Sequence, residues 1–359
     1  MIESQRTFTL AAIPGDGIGR EVLPEAIRVL EAAARKSHLD LRWQWFDWSC
    51  DYYKRHGKMM PEGGIETLRH FDSIFLGAVG YPDVPDHVSL WGLLIPIRRS
   101  FQQYVNLRPA KLCAGVASPL SNKRAGEIDF VIVRENTEGE YSELGGRYDE
   151  GTDQERVVQE SVFTRRGCDR ILRYAFELAR KRKRHVTSAT KSNGIIHSMP
   201  YWDERFAAIA AEFPDVAVDQ YHIDILCSHF VTRPEAFDVV VASNLFGDIL
   251  SDLSAAVVGS IGIAPAANIN PRREFPSMFE PVHGSAPDIA GKGIANPIAQ
   301  IRTGAMMLEH LGESAAAGAI ETAVERVLAG NGPRTRDLGG SASTTEVGDA
   351  VIAALEDRK

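Results

Sequence analysis

FTLAAI, an apolar run of strand length, is cut off by PGDGIG and followed at once by REVLPEAIRVLEAAARKS, whose Val22, Ala26, Val29, Leu30 and Ala33 recur at helical spacing. No other feature constrains the fold as much, because a strand that turns straight into an amphipathic helix has to lay that helix back on its own sheet. The alternation continues through a strand around LRWQWFDW, a helix around GGIETLRHF and a buried strand at SIFLGAVG. Alternating strands and helices imply right-handed crossovers and a largely parallel α/β sheet. With 359 residues the chain can build two domains, or one large unit, around a substantial core.

Beyond Pro109 the pattern changes. IDFVIVREN reads as a strand ending in polar residues, whereas ENTEGEYSELGGRYDEGTDQERVVQESVFT is rich in glycine and charge and reads as a hairpin or arm outside the core. GCDRILRYAFELARKRKR is a helix, VTSATKSN a strand running into a loop, and FDVVVASN a buried strand. Neither a repeat nor a linker divides the chain into sequential domains. The chain is therefore expected to leave one domain part-way through the sheet and to return to it.

Composition argues against several functions. Lys and Arg total 40 against 48 acidic residues, a formal charge of −8, which disfavours general binding to nucleic acid or anionic membrane. MIESQRTFTL lacks the basic and apolar regions of a signal peptide. The longest apolar stretch, AAVVGSIGIAPAA from Ala255, is interrupted by glycine, serine and proline and falls short of the roughly 20 residues that span a bilayer. Cys50, Cys113, Cys168 and Cys227 form no CxxC pair, so neither a disulfide framework nor a thiolate zinc site is expected. The expectation is a cytoplasmic protein with reduced thiols. The run RKRKRH, Arg180 to His185, ends a helix, where cations suit the macrodipole, and reads as a solvated face.

PGDGIG is not read as a dinucleotide fingerprint. That motif needs G-x-G-x-x-G, and here Gly15, Gly17 and Gly19 leave Arg20 where the third glycine should stand. A tight strand–helix turn is the expected role. NLFGDILSDLSAAVVG carries more chemistry: Asp248 and Asp252 are four residues apart and share one face of an expected helix. Their neighbours are apolar or small, a poor solvated face. Two such carboxylates suit a hard divalent cation, Mg2+ or Mn2+, the alternative being plain helix-surface acids. Arg98, Arg99, Arg108 and Arg134 recur near the polar segment, and guanidinium forks bind carboxylates bidentately. Singly each reads as an ion-pair residue; gathered near a metal they would make a dicarboxylate site. EPVHGSAPDIAGKGIANP reads as a long ordered loop able to offer backbone N–H groups and His283 to phosphates and Asp288 to a ribose.

Together these stretches resemble the β-decarboxylating dehydrogenases, the family of isopropylmalate, isocitrate, homoisocitrate and tartrate/D-malate dehydrogenases. The resemblance runs from IPGDGIG to the GGSASTTEVGDAV tail and is strongest in NLFGDILSDLSAAVVGSIGIAPAANI and EPVHGSAPDIAGKGIANP. YYKRHGKMMP, VPDHVSLWG, RENTEGEYSELGGR and SATKSNG with SMPYWDER point to the tartrate/D-malate branch. It implies an open α/β sheet in which a second domain, residues 106–260, is inserted in the first, residues 1–105 and 261–359, and carries the dimer interface and the arm. It also implies a homodimer with shared sites. A divalent metal would lie on Asp248 and Asp252 of one chain and Asp224 of the other. Arg98, Arg108 and Arg134 would hold the substrate carboxylates, with Tyr141 and a partner-supplied Lys191 as catalytic residues. NAD contacts are implied for Ile13, Asn193, Glu280, His283, Gly284, Ser285, Ala286, Asp288 and Asn296, and a K+ requirement is left open.

The activity so implied is NAD-dependent oxidative decarboxylation of D-malate to pyruvate and CO2, with activity on tartrate, and with 3-isopropylmalate as the alternative substrate. The metal would lower the pKa of the substrate hydroxyl as hydride leaves C2. Lys191 would take the hydroxyl proton, and should therefore sit among cations or out of water. Tyr141 would return a proton to C3 once CO2 has left. Asp288 favours NAD over NADP, because a carboxylate accepts from the ribose 2′-OH and repels a 2′-phosphate. Isocitrate-specific relatives hold a third carboxylate with serine and asparagine at the helix entry SLWGLLIPIRRS, where this chain offers Leu93, Leu94 and Ile95. This stretch is also one residue longer than in isopropylmalate dehydrogenases, which usually place a glutamate near the position of Trp91.

Overall fold

A computed structural model describes residues 6–357. The first five residues of MIESQRTFTL and the last two of the chain, the two ends of the expected first domain, lie outside the described residues. Twelve strands are formed among those described: β1 (Arg6–Gly15), β2 (Leu39–Trp45), β3 (Ser73–Ala78), β4 (Val105–Lys111), β5 (Asp129–Glu135), β6 (Gly145–Tyr148), β7 (Arg156–Gln159), β8 (His185–Thr190), β9 (Ala217–His222), β10 (Val239–Ala242), β11 (Ala267–Ile269) and β12 (Ser277–Phe279).

The opening unit forms as its pattern requires. β1 is buried from Leu10 to Ile13, and the helix Gly19–Lys36 turns Val22, Ala26, Val29, Leu30 and Ala33 inward. The turn between them closes at backbone contact. A Cβ on Gly15 would lie 1.9 Å from the Ala78 carbonyl oxygen, and one on Gly19 2.3 Å from that of Pro14. Gly15 and Gly17 also hold positive φ, 69° and 51°, which L side chains resist.

Ten strands make one sheet in the order β2-β1-β3-β12-β11-β4-β5-β10-β8-β9. Its six outer contacts are parallel, as the alternation implies, and the three central ones, β12–β11, β11–β4 and β4–β5, are antiparallel. The chain enters the second half of the sheet through β4 and comes back through β11, and those two strands lie side by side in opposite directions. Residues between them supply β5, β10, β8 and β9.

The polar stretch after β5 contains the hairpin β6–β7, a two-stranded sheet of its own with every residue exposed. The basic run 180–185 is exposed at Arg180, Lys181, Lys183 and Arg184, as its solvated reading expects. Arg180 is forked onto Asp215, and Arg182, only 26% exposed, bonds Asp129 and Asp238 at 2.8 Å each. Carboxylates on three neighbouring segments neutralise it, which a one-dimensional charge run cannot reveal. Among the described residues no helix is long and apolar enough to cross a membrane, and all four cysteines are free, three of them buried.

Candidate active site

The antiparallel centre of the sheet aligns a row of polar residues: Asn268 on β11 faces Asn106 on β4, which faces Arg134 on β5. Strand alternation puts Arg108 on the same side as Asn106. Arg108 Nε donates to Asn106 Oδ1 at 2.7 Å, and Asn106 and Asn136 both donate to Asn268 Oδ1, at 2.9 and 2.8 Å. Asn268 in turn donates to Glu280 Oε1 at 2.9 Å, and Arg98 Nη2 reaches the same oxygen at 2.6 Å. These buried groups fix one another's orientation, as a satisfied polar network does.

The helix Asn244–Val257 brings the two aspartates over this row. Its N-terminus is capped from the loop after β5: the Glu140 carboxylate accepts from Ser243 Oγ at 2.6 Å and from the Leu245 backbone N–H at 3.0 Å, a favourable place for negative charge. Gly247 lets the helix sit close, since a Cβ there would lie 2.5 Å from Arg134 Cβ. Arg134, 2% exposed, donates twice to Asn244 Oδ1, at 3.0 and 2.7 Å, and once to Asp248. Tyr141 Oη donates to Asp248 Oδ2 at 2.9 Å, and its ring lies 5.5 Å from the Arg134 guanidinium. Arg108 Nη1 lies 3.5 Å from Asp248 and 3.7 Å from Asp252, so both carboxylates face one point. Ser251 holds that guanidinium at 2.6 Å.

Electrostatics follow from this packing. Burial pushes the Asp248 carboxyl up, but Arg134, Arg108 and the Tyr141 hydroxyl outweigh it and hold it below the usual carboxylate range. Burial, then the charge of Asp248, pushes the Tyr141 phenol up and keeps it protonated. Burial and the neighbouring Arg134 bring Arg108 down to about 10.

Lys191, in the loop after β8, and Asp224, in the first turn of the helix Ile223–Thr232, form an ion pair at 3.0 Å. Within one chain they do not join Asp248. Among the described residues no group of three or more His, Cys, Asp or Glu side chains is gathered for a metal.

The loop 280–297 is pinned to the PGDGIG turn. Ile18 N–H donates to the Ser285 carbonyl at 2.8 Å, and a Cβ on Gly17 would lie 2.0 Å from that oxygen. His283 is buried with Nδ1 against the Gly284 carbonyl at 2.9 Å and Nε2 without a protein partner. Burial holds its pKa below the usual imidazole value. Gly284 and Asp288 are exposed, whereas Asn296 is buried and donates to Asp337 at 2.9 Å.

Residues 9–351 match the isocitrate/isopropylmalate dehydrogenase family. The chain belongs to this family. It is 62% identical over 358 residues to the D-malate dehydrogenase (decarboxylating) of Escherichia coli K12, covering 98% of this chain and 99% of that one. It is likewise 62% identical to the tartrate dehydrogenase/decarboxylase of Pseudomonas putida, covering 97% and 98%. Among solved structures, an isocitrate dehydrogenase from Methylococcus capsulatus superposes with a TM-score of 0.88 at 35% identity, over 98% of this chain and 100% of that one. The protein is therefore an oxidoreductase with the fold that its sequence resembles.

Within this family member, one expectation needs correction. Leu93 is fully buried and Ile95 nearly so, Leu93 packing with Ile13, Trp48 and Met59. The helix entry therefore turns them into the core and leaves Trp91 and Leu94, each half-buried, to face outward. Ile13 is also fully buried, beneath the turn. Lys191 has a carboxylate beside it within its own chain. Any cationic surroundings would have to come from another copy. Within SLWGLLIPIRRS the residues Leu90–Leu94 form a π turn. Asn106, Asn244, Ser251 and Asn268 went unread because single polar residues in apolar elements carry no periodic signal.

Proposed function

We propose that the protein oxidises D-malate with NAD+ and decarboxylates the resulting β-keto acid to pyruvate and CO2, with tartrate as a second substrate. The observation that carries this reading is the convergence of Arg108, Arg134 and Tyr141 on Asp248, with Arg98 close by, in a chain whose relatives at 62% identity are named for these substrates. Support for 3-isopropylmalate is weaker, since no relative at 56% identity or above carries that name among those compared.

The residues present fit the groups that this chemistry needs. Asp248 and Asp252 offer hard oxygen donors facing one point, which suits Mg2+ or Mn2+. The unpartnered Nε2 of buried His283, the exposed Gly284 and the carboxylate of Asp288 suit a dinucleotide without a 2′-phosphate. When bound, the cation supplies Lewis acidity at the substrate hydroxyl and NAD+ accepts the hydride.

The chain's own groups do the rest. Arg98, Arg108 and Arg134 grip the two carboxylates and so align the C–C bond that breaks. Lys191 takes the hydroxyl proton, and the Tyr141 hydroxyl returns one to C3. Lys191 and Asp224 come from a second copy in this reading, giving a homodimer with shared sites. The exposed Ile195 and Ile196 beside Lys191, Ile225 beside Asp224 and Ile249 beside Asp248 support it, as apolar surface around half a site. Domain limits near 106 and 260 and a cytoplasmic location belong to the same reading, supported by the sheet order and the free cysteines.

The test is initial NADH or NADPH formation with Mn2+ across D-malate, L-malate, the tartrates, 3-isopropylmalate and isocitrate. D-malate with NAD+ should give the highest specificity constant, and L-malate almost none. A higher constant for 3-isopropylmalate would overturn the assignment.

A further inference from the structure

Arg99 has no part in the chemistry above, yet it is tied to the residue that delivers the last proton. Its Nη2 donates to the backbone carbonyl of Tyr141 at 2.6 Å. Its guanidinium lies 4.8 Å from the ring centroid of Trp91. The remaining contact, to Glu143 at 3.7 Å, involves a carboxylate side chain that is 72% exposed, and such surface pairs contribute little. The charge-assisted bond to the carbonyl is the strong one.

We infer that Arg99, braced by Trp91, is a positioning residue that sets the place of the Tyr141 hydroxyl. The loop bearing Tyr141 has several fastenings. Gly139 pairs with Val162, and Ser142 Oγ donates to the Glu160 carbonyl. Glu140 holds Ser243 and Leu245, and Asn244 Nδ2 donates to the Glu138 carbonyl at 3.0 Å, so these residues are tied to the helix of Asp248. The Tyr141 backbone carbonyl is tied instead to the helix Ile95–Ser100, which also carries Arg98. Adjacent helix residues diverge by about 100°. Arg98 therefore turns inward to Glu280 while Arg99 crosses to the loop. One short helix thus links a carboxylate-binding arginine to the placement of the proton donor.

The π turn makes the brace geometrically accessible. Trp91 and Arg99 are eight residues apart, and in a regular α-helix such residues point about 80° away from each other. A turn closed by i→i+5 bonds takes more residues per revolution, and the one at Leu90–Leu94 brings the pair towards one face. The π turn thereby acquires a role, since it stacks Trp91 on Arg99.

The inference rests on Tyr141 being the proton donor, and the test separates the two claims. Steady-state rates with D-malate, NAD+ and Mn2+ are measured for Arg99→Met, which keeps a long side chain over Trp91 without a donor, and for Arg99→Lys, which restores one. Both are repeated in a Tyr141→Phe background. Arg99→Met should lower kcat by about tenfold or more with little change in KM, as a mispositioned group does. Arg99→Lys should recover most of it. In the Tyr141→Phe background Arg99→Met should cost nothing further, because both changes remove the same step. Should Arg99→Met fold poorly, Trp91→Leu leaves Arg99 present without its stack and should lower kcat in the same non-additive way. An unchanged kcat, a loss carried by KM, or a full additional loss in the Tyr141→Phe background overturns the inference alone. A wild-type kcat for Tyr141→Phe overturns the role of Tyr141, and this inference with it.

Discussion

Replacing Gly247 with alanine adds one methyl group where the helix Asn244–Val257 crosses β5. The new Cβ would lie 2.5 Å from Arg134 Cβ, 2.6 Å from Cγ and 3.1 Å from Cα. Those atoms belong to a residue 2% exposed, so it has no free direction in which to yield. Reaching ordinary contact at 3.4 Å opens the helix–strand distance by about 0.9 Å. Overpacking of this kind costs about 1–3 kcal/mol, while alanine in a helix gains about 1 kcal/mol over glycine. The net destabilisation is thus only about 0–2 kcal/mol. Activity should suffer far more, because Asp248 moves with the helix while Arg134 and Tyr141 stay on β5 and its loop. A shift near 1 Å costs on the order of a hundredfold in rate. Urea melts followed by circular dichroism give the stability, and kcat/KM for D-malate under saturating Mn2+ gives the function. A variant more stable than wild type, with kcat/KM within about twofold, would refute the reasoning, for it would mean that the helix is not seated by this contact.

Three further outcomes are expected. Asp252→Asn, at an exposed position that needs no repacking, should raise the Mn2+ concentration for half-maximal rate at least about tenfold while leaving the melt unchanged; full activity in excess EDTA would remove the metal from the account. Lys191→Met and Tyr141→Phe, each strongly impaired but measurable alone, should regain part of the wild-type rate when dissociated and reassociated together, since one hybrid site then holds both groups. No recovery in proven heterodimers would place both groups in one chain. Burial raises the Glu135 carboxyl from 4.5 to about 7, so between those values the folded chain keeps a proton that the unfolded chain has lost. Its stabilising effect is complete below pH 4.5 and is lost as pH rises through 7, on the order of 3 kcal/mol in all. Glu135→Gln should flatten the urea midpoint across that window, and parallel curves for the two proteins would count against it.

What could be read in advance has a physical pattern. β1 and its helix are legible because their burial is periodic over many residues, and periodicity survives in a single sequence. The aspartate pair is legible because charge on an apolar helix is anomalous. The antiparallel centre is not, since β11 and β12 are three residues each and too short to show alternation. The asparagine network escapes for a related reason: Asn106, Asn136 and Asn268 meet only after three strands or loops from distant segments align. Leu93 and Ile95 were misread as pocket wall because the π turn changes which residues of a helix share a face. The Lys191–Asp224 pair is legible only as a resemblance, because within one chain it does not join Asp248.

The charges explain why such a site would take metal and substrate together. Around the central row, Arg98, Arg108 and Arg134 face Asp248, Asp252 and Glu280, three cations against three anions. In a buried cluster an uncompensated charge is costly. A divalent cation arriving alone would add two positive charges beside the arginines, and a dicarboxylate arriving alone would add two negative charges beside the aspartates. Arriving together they leave the balance unchanged. Asp248 and Asp252 would hold the cation, and Arg108 and Arg134, relieved of them, would be free to take up the substrate carboxylates. Each ligand thereby lowers the desolvation cost of the other, and by linkage the coupling must be equal in both directions. The short bonds that now join Arg134, Tyr141 and Asp248 are the ones exchanged. In the proposed mechanism Tyr141 would then be freed from Asp248 to give its proton to C3.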